Sequence, residues 1–400
     1  MMRHTFTIER RVPPSRKSES GMTLVELMVS ITITLIVVAA LIALFLNVTS
    51  AQREMNKVNQ QIETGRISTF VLENEIALAG FWENYVPQFD DVTLTAIPDK
   101  VPTGVPPDPC LAYTLLPTPS WTSDYMRSLI DIPVQAYEEI PATCDAVLKD
   151  KKGDTDVLVI RHAETCLPGT PNCEADTAGK LYFQSSQCGV GPSAQKPSEF
   201  ELATVGFTTM KARDCVTPSV KRKFISDIYY IRTYAETAGD GIPTLVRSRF
   251  DLGADGTLGP QPPVPLVEGV DAFRVELGLD TLSSTGAAAD YTKAIDWSDP
   301  VNMTVPKNRG DGSPDGAFVH CSKAVPCTAD QLANVVAVKL YVLARSTAPS
   351  PGYKDERIYT LGYKPDGTPN NLPAFNDNYR RHAFATSIRL TNVAGRRETP

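Results

Sequence analysis

The chain has 400 residues, 42% of them apolar, with a formal charge of −7 and eight cysteines. Its length provides for one large core or two lobes. Its acidic balance fits a soluble exported domain and argues against a nucleic-acid partner, which needs a basic face to displace phosphate counterions.

Charge is uneven along the chain. The first 21 residues carry Arg3, Arg10, Arg11, Arg16 and Lys17 against two acids, so the remaining 379 hold a net −10. Gly21-Met-Thr-Leu-Val-Glu26 follows, and then Leu27 to Leu46 runs without a charge, a proline or a glycine. Those twenty residues, at about 1.5 Å each, make roughly 30 Å of helix, the thickness of a bilayer's hydrocarbon core. A carboxylate at the edge of such a segment is costly there and reads as functional. An ordinary secretory signal would be cut after its apolar core at a small-x-small site; Ala39 and Ala40 lie inside the run, and no such site follows Leu46. A basic N-terminal stretch thus precedes a membrane-spanning segment, with the N-terminus cytoplasmic and the bulk exported by the positive-inside rule; the prepilin resemblance given below implies that residues 1–21 are a leader and 22–46 the membrane-spanning half of a helix.

The helix is expected to continue over 47–82. Val48, Ala51, Met55, Val58, Ile62, Gly65, Thr69, Leu72, Ile76 and Ala79 follow in steps of three and four, a narrow seam that predicts packing on the protein's own sheet or on neighbouring helices. Gly80 is a natural stop. Beyond lies an exported head over 83–400. Seven prolines between 98 and 119 predict an extended loop tied down at Cys110. Period-two alternation predicts strands over 156–161, 224–234, 244–250, 273–279, 336–342 and 383–390, the second and third joined as a hairpin across Gly239 to Gly241. Stretches 281–330 and 347–378 read as long surface insertions, and 98–220 as another. One long helix followed by many strands gives an α+β class with a mainly antiparallel sheet.

Cys110, Cys144, Cys166, Cys173, Cys188, Cys215, Cys321 and Cys327 all lie on the exported side, where disulfides persist. Proximity favours Cys321–Cys327 and is compatible with Cys110–Cys144 and Cys188–Cys215; the full pairing stays open. Zinc is the rival, but no pair has the close spacing of a zinc ligand pair.

Gly21-Met-Thr-Leu-Val-Glu26 ahead of the apolar run resembles the class III signal of type IV prepilins and pseudopilins. Leu72-Glu-Asn-Glu-Ile-Ala-Leu-Ala-Gly-Phe-Trp82 is similar to the end of the first helix of PilW-type minor pilins. So, in order and character, are Leu266 to Glu276, Val335 to Arg345 and Tyr379 to Asn392. The resemblance implies the type IV pilin fold and cleavage by prepilin peptidase after Gly21. Met22, where the family usually has Phe, becomes the N-methylated terminus. Glu26 then becomes the fifth mature residue, and pairs with the terminal amine of an adjacent subunit. It also implies a minor pilin that primes pilus assembly from the inner membrane and sits at or near the tip. Its partners would be other minor pilins, the major pilin and possibly a tip adhesin. In related systems one tip subunit lacks the glutamate, so Glu26 implies a place beneath another minor subunit. The alternatives are a J-type minor pseudopilin of a type II secretion system, and a tip-located adhesin module built on 98–220 and 281–330.

No H-E-x-x-H, G-x-S-x-G or phosphate-binding loop occurs, so no enzyme, cofactor or metal is expected. Asp251 with Asp255, and Asp311 with Asp315, offer two oxygens where calcium takes six or more. Arg309-Gly310-Asp311 matches an integrin-type tripeptide, a common chance occurrence. Asp154 and Asp156 read as a turn and a solvated strand edge.

Overall fold

A computed structural model of the chain describes residues 21–94, 96–114, 120–189, 199–302, 306–364 and 366–398. The basic leader up to residue 20 and the prolines at 117 and 119 lie outside these. The chain divides into two units, Met1–Asn56 and Lys57–Pro400, and helix α1 (Leu24–Leu78) contributes to both.

In the first unit, α1 is a bare apolar rod: its large side chains from Leu24 to Leu46 are between 44% and 74% exposed. Its few hydroxyls are satisfied within the helix. Ser30 Oγ donates to the Leu27 carbonyl, Thr32 Oγ1 to the Met28 carbonyl at 2.7 Å and Thr34 Oγ1 to the Ser30 carbonyl, which lowers the cost of placing these hydroxyls in hydrocarbon.

The second unit is a helix end on two antiparallel sheets. In the larger sheet, β1 (Val134–Tyr137), β2 (Val157–Ala163), β5 (Lys221–Arg232), β3 (Tyr182–Ser185) and β4 (Phe200–Ala203) are neighbours in that order. From β5 the sheet branches through β6 (Thr244–Leu252) to β7 (Leu258–Pro260) and β8 (Val264–Glu268). β9 (Val270–Leu279), β10 (Val335–Arg345) and β13 (Arg381–Arg389) form the smaller sheet in the order β13-β10-β9. A hairpin of β11 (Tyr359–Tyr363) and β12 (Pro369–Leu372) stands apart. Helices α2 (Ser123–Asp131), α3 (Ala329–Ala333) and α4 (Thr391–Arg397) fill ends and corners.

All six predicted strands are present, and β5 pairs with β6 as the predicted hairpin. The segment 98–220 is not a mere insertion: it supplies α2 and β1 to β4, and so much of the larger sheet. Stretch 347–378 likewise carries the β11–β12 hairpin, whose Tyr359, Leu361 and Leu372 cover Ala272, Tyr341 and Leu343 on the smaller sheet. The main core joins Leu72, Ile76 and Ala79 of the helix end to Leu158, Ile160, Phe273, Val275, Val338 and Leu340. Strand β2 is buried at every position because a second cluster around Cys110, Cys144, Val157 and Val159 covers its reverse face.

The helix seam differs from the expected one. It ends at Leu78 rather than near 82, with Gly80 at φ 73°, and its buried face reads Gln61, Thr64, Gly65, Ser68, Leu72, Ile76. A 3.5-residue seam drifts by about 20° per heptad from a straight helix, so Ile62 and Val58 end up exposed. The small and polar residues face strand ends: Gln61 donates to the Arg380 carbonyl, and an added Cβ at Gly65 would lie 2.1 Å from the Phe384 ring. Phe384, Thr386 and Ile388 form the face of β13 turned to the helix, with Thr386 Oγ1 donating to Glu73 at 2.6 Å.

Candidate assembly determinants

Gly21 and Met22 are exposed, and a Cβ added to Gly21 would meet no other atom. Nothing in the fold therefore requires a glycine there. Thr23 and Glu26 cap the first turn of α1 reciprocally: the Thr23 N–H and hydroxyl donate to Glu26 Oε2 at 3.0 and 2.9 Å, and the Glu26 N–H donates to Thr23 Oγ1 at 3.3 Å. This is the capping box. Its Thr-x-x-Glu spacing was visible in the sequence, though the acid there reads first as an assembly residue. Glu26 Oε1 makes no hydrogen bond among the described residues. The carboxylate thus holds its own helix end with one oxygen and offers the other. It is the only charged side chain between Gly21 and Gln52.

On the second unit, α1 turns a further apolar set outward. Val58, Ile62, Ile67 and Phe70 are 40% to 64% exposed. Beside them Glu63, Arg66, Thr69 and Glu73 complete a shallow groove of about 460 Å³. Between Val58 and Phe70 the helix thus keeps several apolar side chains outward while small and polar residues lie inward, before Leu72 and Ile76 enter the core.

Buried ion pairs fix the head. Asp156 is not a solvated edge but 1% exposed: it accepts from Arg274 Nη1 at 2.9 Å, from the Val275 N–H at 2.8 Å and faces His320 Nε2 at 3.0 Å. Burial pushes the His320 imidazole down, but the hydrogen bond and charge of Asp156 outweigh it and hold the group above its ordinary value. Arg397 of α4 reaches Asp90 at 2.7 Å and Asp280 at 3.1 Å, tying the C-terminal helix to segments far back in the chain.

The remaining candidates dissolve into structure. Arg309 is 3% exposed and donates to the Asp290 and Lys293 carbonyls, so the Arg-Gly-Asp tripeptide presents no free guanidinium. Asp315 accepts from the Thr281 and Leu282 N–H groups, Asp311 from Ser313 and Asp255 from Thr257, while Asp251 is paired with Lys223. All eight cysteines are bridged, as Cys110–Cys144, Cys166–Cys173, Cys188–Cys215 and Cys321–Cys327. Asp108 lies beside the first of these, but bonded sulfurs offer no thiolate to a metal.

Comparison with known proteins bears on both units. The prokaryotic N-terminal methylation motif matches residues 16–42, and the family described as Type IV Pilus-assembly protein W matches residues 228–392. No curated protein sequence matches significantly. Among solved structures the chain is similar to the type IV-like pilin TTHA1219 from Thermus thermophilus, at 12% identity and a TM-score of 0.30, over 83% of this chain and 97% of that one. The methylation motif covers the span that carries Gly21 and Glu26, and the pilus-assembly match runs from β5 through β13, the strands that seat the helix end. Over its prepilin methylation motif and over the strands from β5 to β13, the chain is thus similar to PilW-type pilus-assembly proteins.

Proposed function

We propose that this protein is a minor pilin that primes type IV pilus assembly from the inner membrane and comes to lie at or near the pilus tip, beneath one further subunit. Glu26 carries this reading: a single carboxylate, with one oxygen uncommitted, at the mouth of an apolar helix that covers none of its own surface. Cleavage after Gly21 creates the Met22 amine, and the Glu26 carboxylate of one subunit pairs with that amine on the next. Opposite charges within a low-dielectric slab attract strongly and set the height of one subunit against its neighbour. An α1 drawn out into water alone would forfeit about 1.5–3 kcal/mol for each Leu, Ile or Val, tens of kcal/mol in all, so it leaves the bilayer only against other helices. The groove at Ile67 and Phe70 continues that apolar contact on the head. Requiring a glycine at 21 where the fold has no use for one fits recognition by a peptidase.

The test is a deletion strain complemented with wild type, Glu26→Ala or Gly21→Val. Loss of surface pili with secretion intact, a processed but unincorporated Glu26→Ala protein and an uncut Gly21→Val precursor are expected. Normal pili with failed enzyme secretion would instead place the protein in a secretion pseudopilus. Normal pilus numbers with Glu26→Ala would refute the pairing.

A further inference from the structure

We propose that the outer edge of β13 receives an extended strand donated by another protein, with apolar side chains turned to α1 and a carboxylate meeting Arg66. β13 is the last strand of the smaller sheet and pairs with β10 alone among the described residues. The Leu390 N–H donates to the Val336 carbonyl and the Ser346 N–H to the Arg380 carbonyl, which fixes the alternation. Even-numbered residues of β13 bond to β10, while Ala383, Ala385 and Ser387 turn their backbone outward. All three are exposed, so a neighbour can reach them. The Arg381 carbonyl, taken by Arg357, closes the stretch at one end. Sheets ordinarily protect such edges by shortness, proline, bulges or cover, and the other edges of this head follow that rule. β4 has four residues, and β7, β8 and β12 carry Pro260, Pro265 and Pro369. β9 is bonded by Val319 and Asp156, and β1 is shut by the Cys321 carbonyl at Glu138. β13 has nine residues, no proline and an unbroken register.

Water satisfies open backbone groups as well as a strand does, but it does not suit the side chains beside them. Val58, Ile62, Arg66, Thr69 and Glu73 follow in steps of three and four and form one stripe of α1. Glu73 accepts from Thr386 of β13, while Thr64 and Glu75, on the opposite flank, meet the Glu268 carbonyl and His162. The helix therefore lies across β13 with this stripe on the outer side, past the last strand. Val58 is 42% and Ile62 43% exposed there, and Arg66, Thr69, Phe70 and Glu73 wall the groove of about 460 Å³. One more strand beside β13 would set every second side chain against them, as Phe384, Thr386 and Ile388 already meet the buried face. Glu73 is taken by Thr386, but the exposed Arg66 has no ion pair among the described residues, so the complementary strand is apolar with one acid. A second copy fits poorly: an antiparallel self-pair centred on Ala385 sets Arg381 against Arg389, and like charges directly opposite destabilise a pair. Such strand addition draws affinity from the main chain and specificity from alternate side chains. It specifies what the outward face of α1 meets and does not depend on pilus priming, since amide protection tests the one and pilus number the other.

The experiment uses the full ¹⁵N-labelled chain in detergent micelles. It is titrated with the capped peptide Thr-Val-Thr-Glu-Thr-Val-Thr and with its counterpart carrying Lys in place of Glu. The acidic peptide is expected to slow amide exchange at Ala383, Ala385 and Ser387 by about tenfold, the worth of one or two net hydrogen bonds. The Phe384 and Thr386 amides, already held by β10, should not change. The Lys peptide should bind about tenfold more weakly, and Arg66→Glu, at an exposed position, should reverse that preference. Ile62→Asp, also exposed and so harmless to folding, should weaken binding about tenfold. Ala385→Pro deletes only an outward N–H, a change an edge strand accepts, and should remove binding. No protection by either peptide, an unchanged preference in Arg66→Glu, or protection that rises with protein concentration in the absence of peptide would each overturn the proposal, the last by making a second copy the occupant.

Discussion

Replacing Asp156 with Asn tests how the head is held together. The carboxylate is 1% exposed and faces Arg274 Nη1 at 2.9 Å and His320 Nε2 at 3.0 Å, while Glu138, at 3.6 Å from Arg274, is the only other acid at that guanidinium. An Asn keeps the acceptor for the Val275 N–H but brings no charge, leaving a buried arginine half compensated. Removing one partner of a buried pair costs about 3–5 kcal/mol, and Glu138 places this case at the lower end, about 3 kcal/mol, a large share of a typical domain's stability. Urea unfolding of the full chain with its disulfides intact measures it. The pH dependence gives a second, independent reading. His320 sits above 6.5 in the folded protein because Asp156 outweighs burial. Its stabilisation is therefore fully present below the unfolded value and is lost as pH rises through the raised folded value. In Asp156→Asn burial and the Arg274 charge outweigh Glu138, the smallest of the causes, so the folded value drops below the unfolded one and stability is instead lost as pH falls below about 6.5. Taken as the difference from His320→Gln in each background, the slope changes sign. A loss under about 1 kcal/mol, or a slope of unchanged sign, would refute the network.

Gly65→Ala should destabilise the wild type, because the new Cβ meets the Phe384 ring at 2.1 Å and overpacking costs about 1–3 kcal/mol against a helix-propensity gain near 1. In a Phe384→Ala background only the gain remains, so the same change should stabilise, and thermal melts of the four variants check the reversal. Paired Cys→Ser replacement of Cys110 and Cys144, which close the longer loop, should cost about 4 kcal/mol against about 2 for Cys321 and Cys327, read from denaturation midpoints. Phe70→Ser, at a ring 64% exposed, should leave stability within about 0.5 kcal/mol yet reduce pilus number in complemented cells.

Alternation made β9, β10 and β13 visible, although β9 and β10 are buried on both faces: the second face of β9 carries Arg274 and Glu276, whose buried partners sequence does not show. Short strands such as β1, β3 and β4 give too few residues for a period to show, and they sit in proline- and glycine-rich surroundings that read as loop. Disulfides between near cysteines were legible; a buried charge was not. Asp156 finds Arg274 and His320 at 118 and 164 positions further along the chain, so its local sequence resembles any turn before a strand. The motif read as an assembly signal is contiguous, with Gly21, Met22 and Glu26 within six residues at the start of α1, so it can be read without any knowledge of the fold.

The seam of α1 shows most clearly where periodicity misleads. Apolar residues at helical spacing are taken to face the core because burial is what usually stabilises them. Here the buried face holds Leu72 and Ile76 only towards the helix end; before them it is made of Gln61, Thr64, Gly65 and Ser68, of which Gly65 lets β13 approach while Gln61 donates to the Arg380 carbonyl and Thr64 to that of Glu268. Val58, Ile62, Ile67 and Phe70 are left to water. Exchanging the two sets would serve a solitary domain better, since each exposed apolar side chain forgoes about 1.5–3 kcal/mol of burial. An inward face suited to close approach and an outward face that keeps Val58, Ile62, Ile67 and Phe70 exposed are what the proposed packing against a neighbouring subunit would use, and Phe70→Ser tests that use directly.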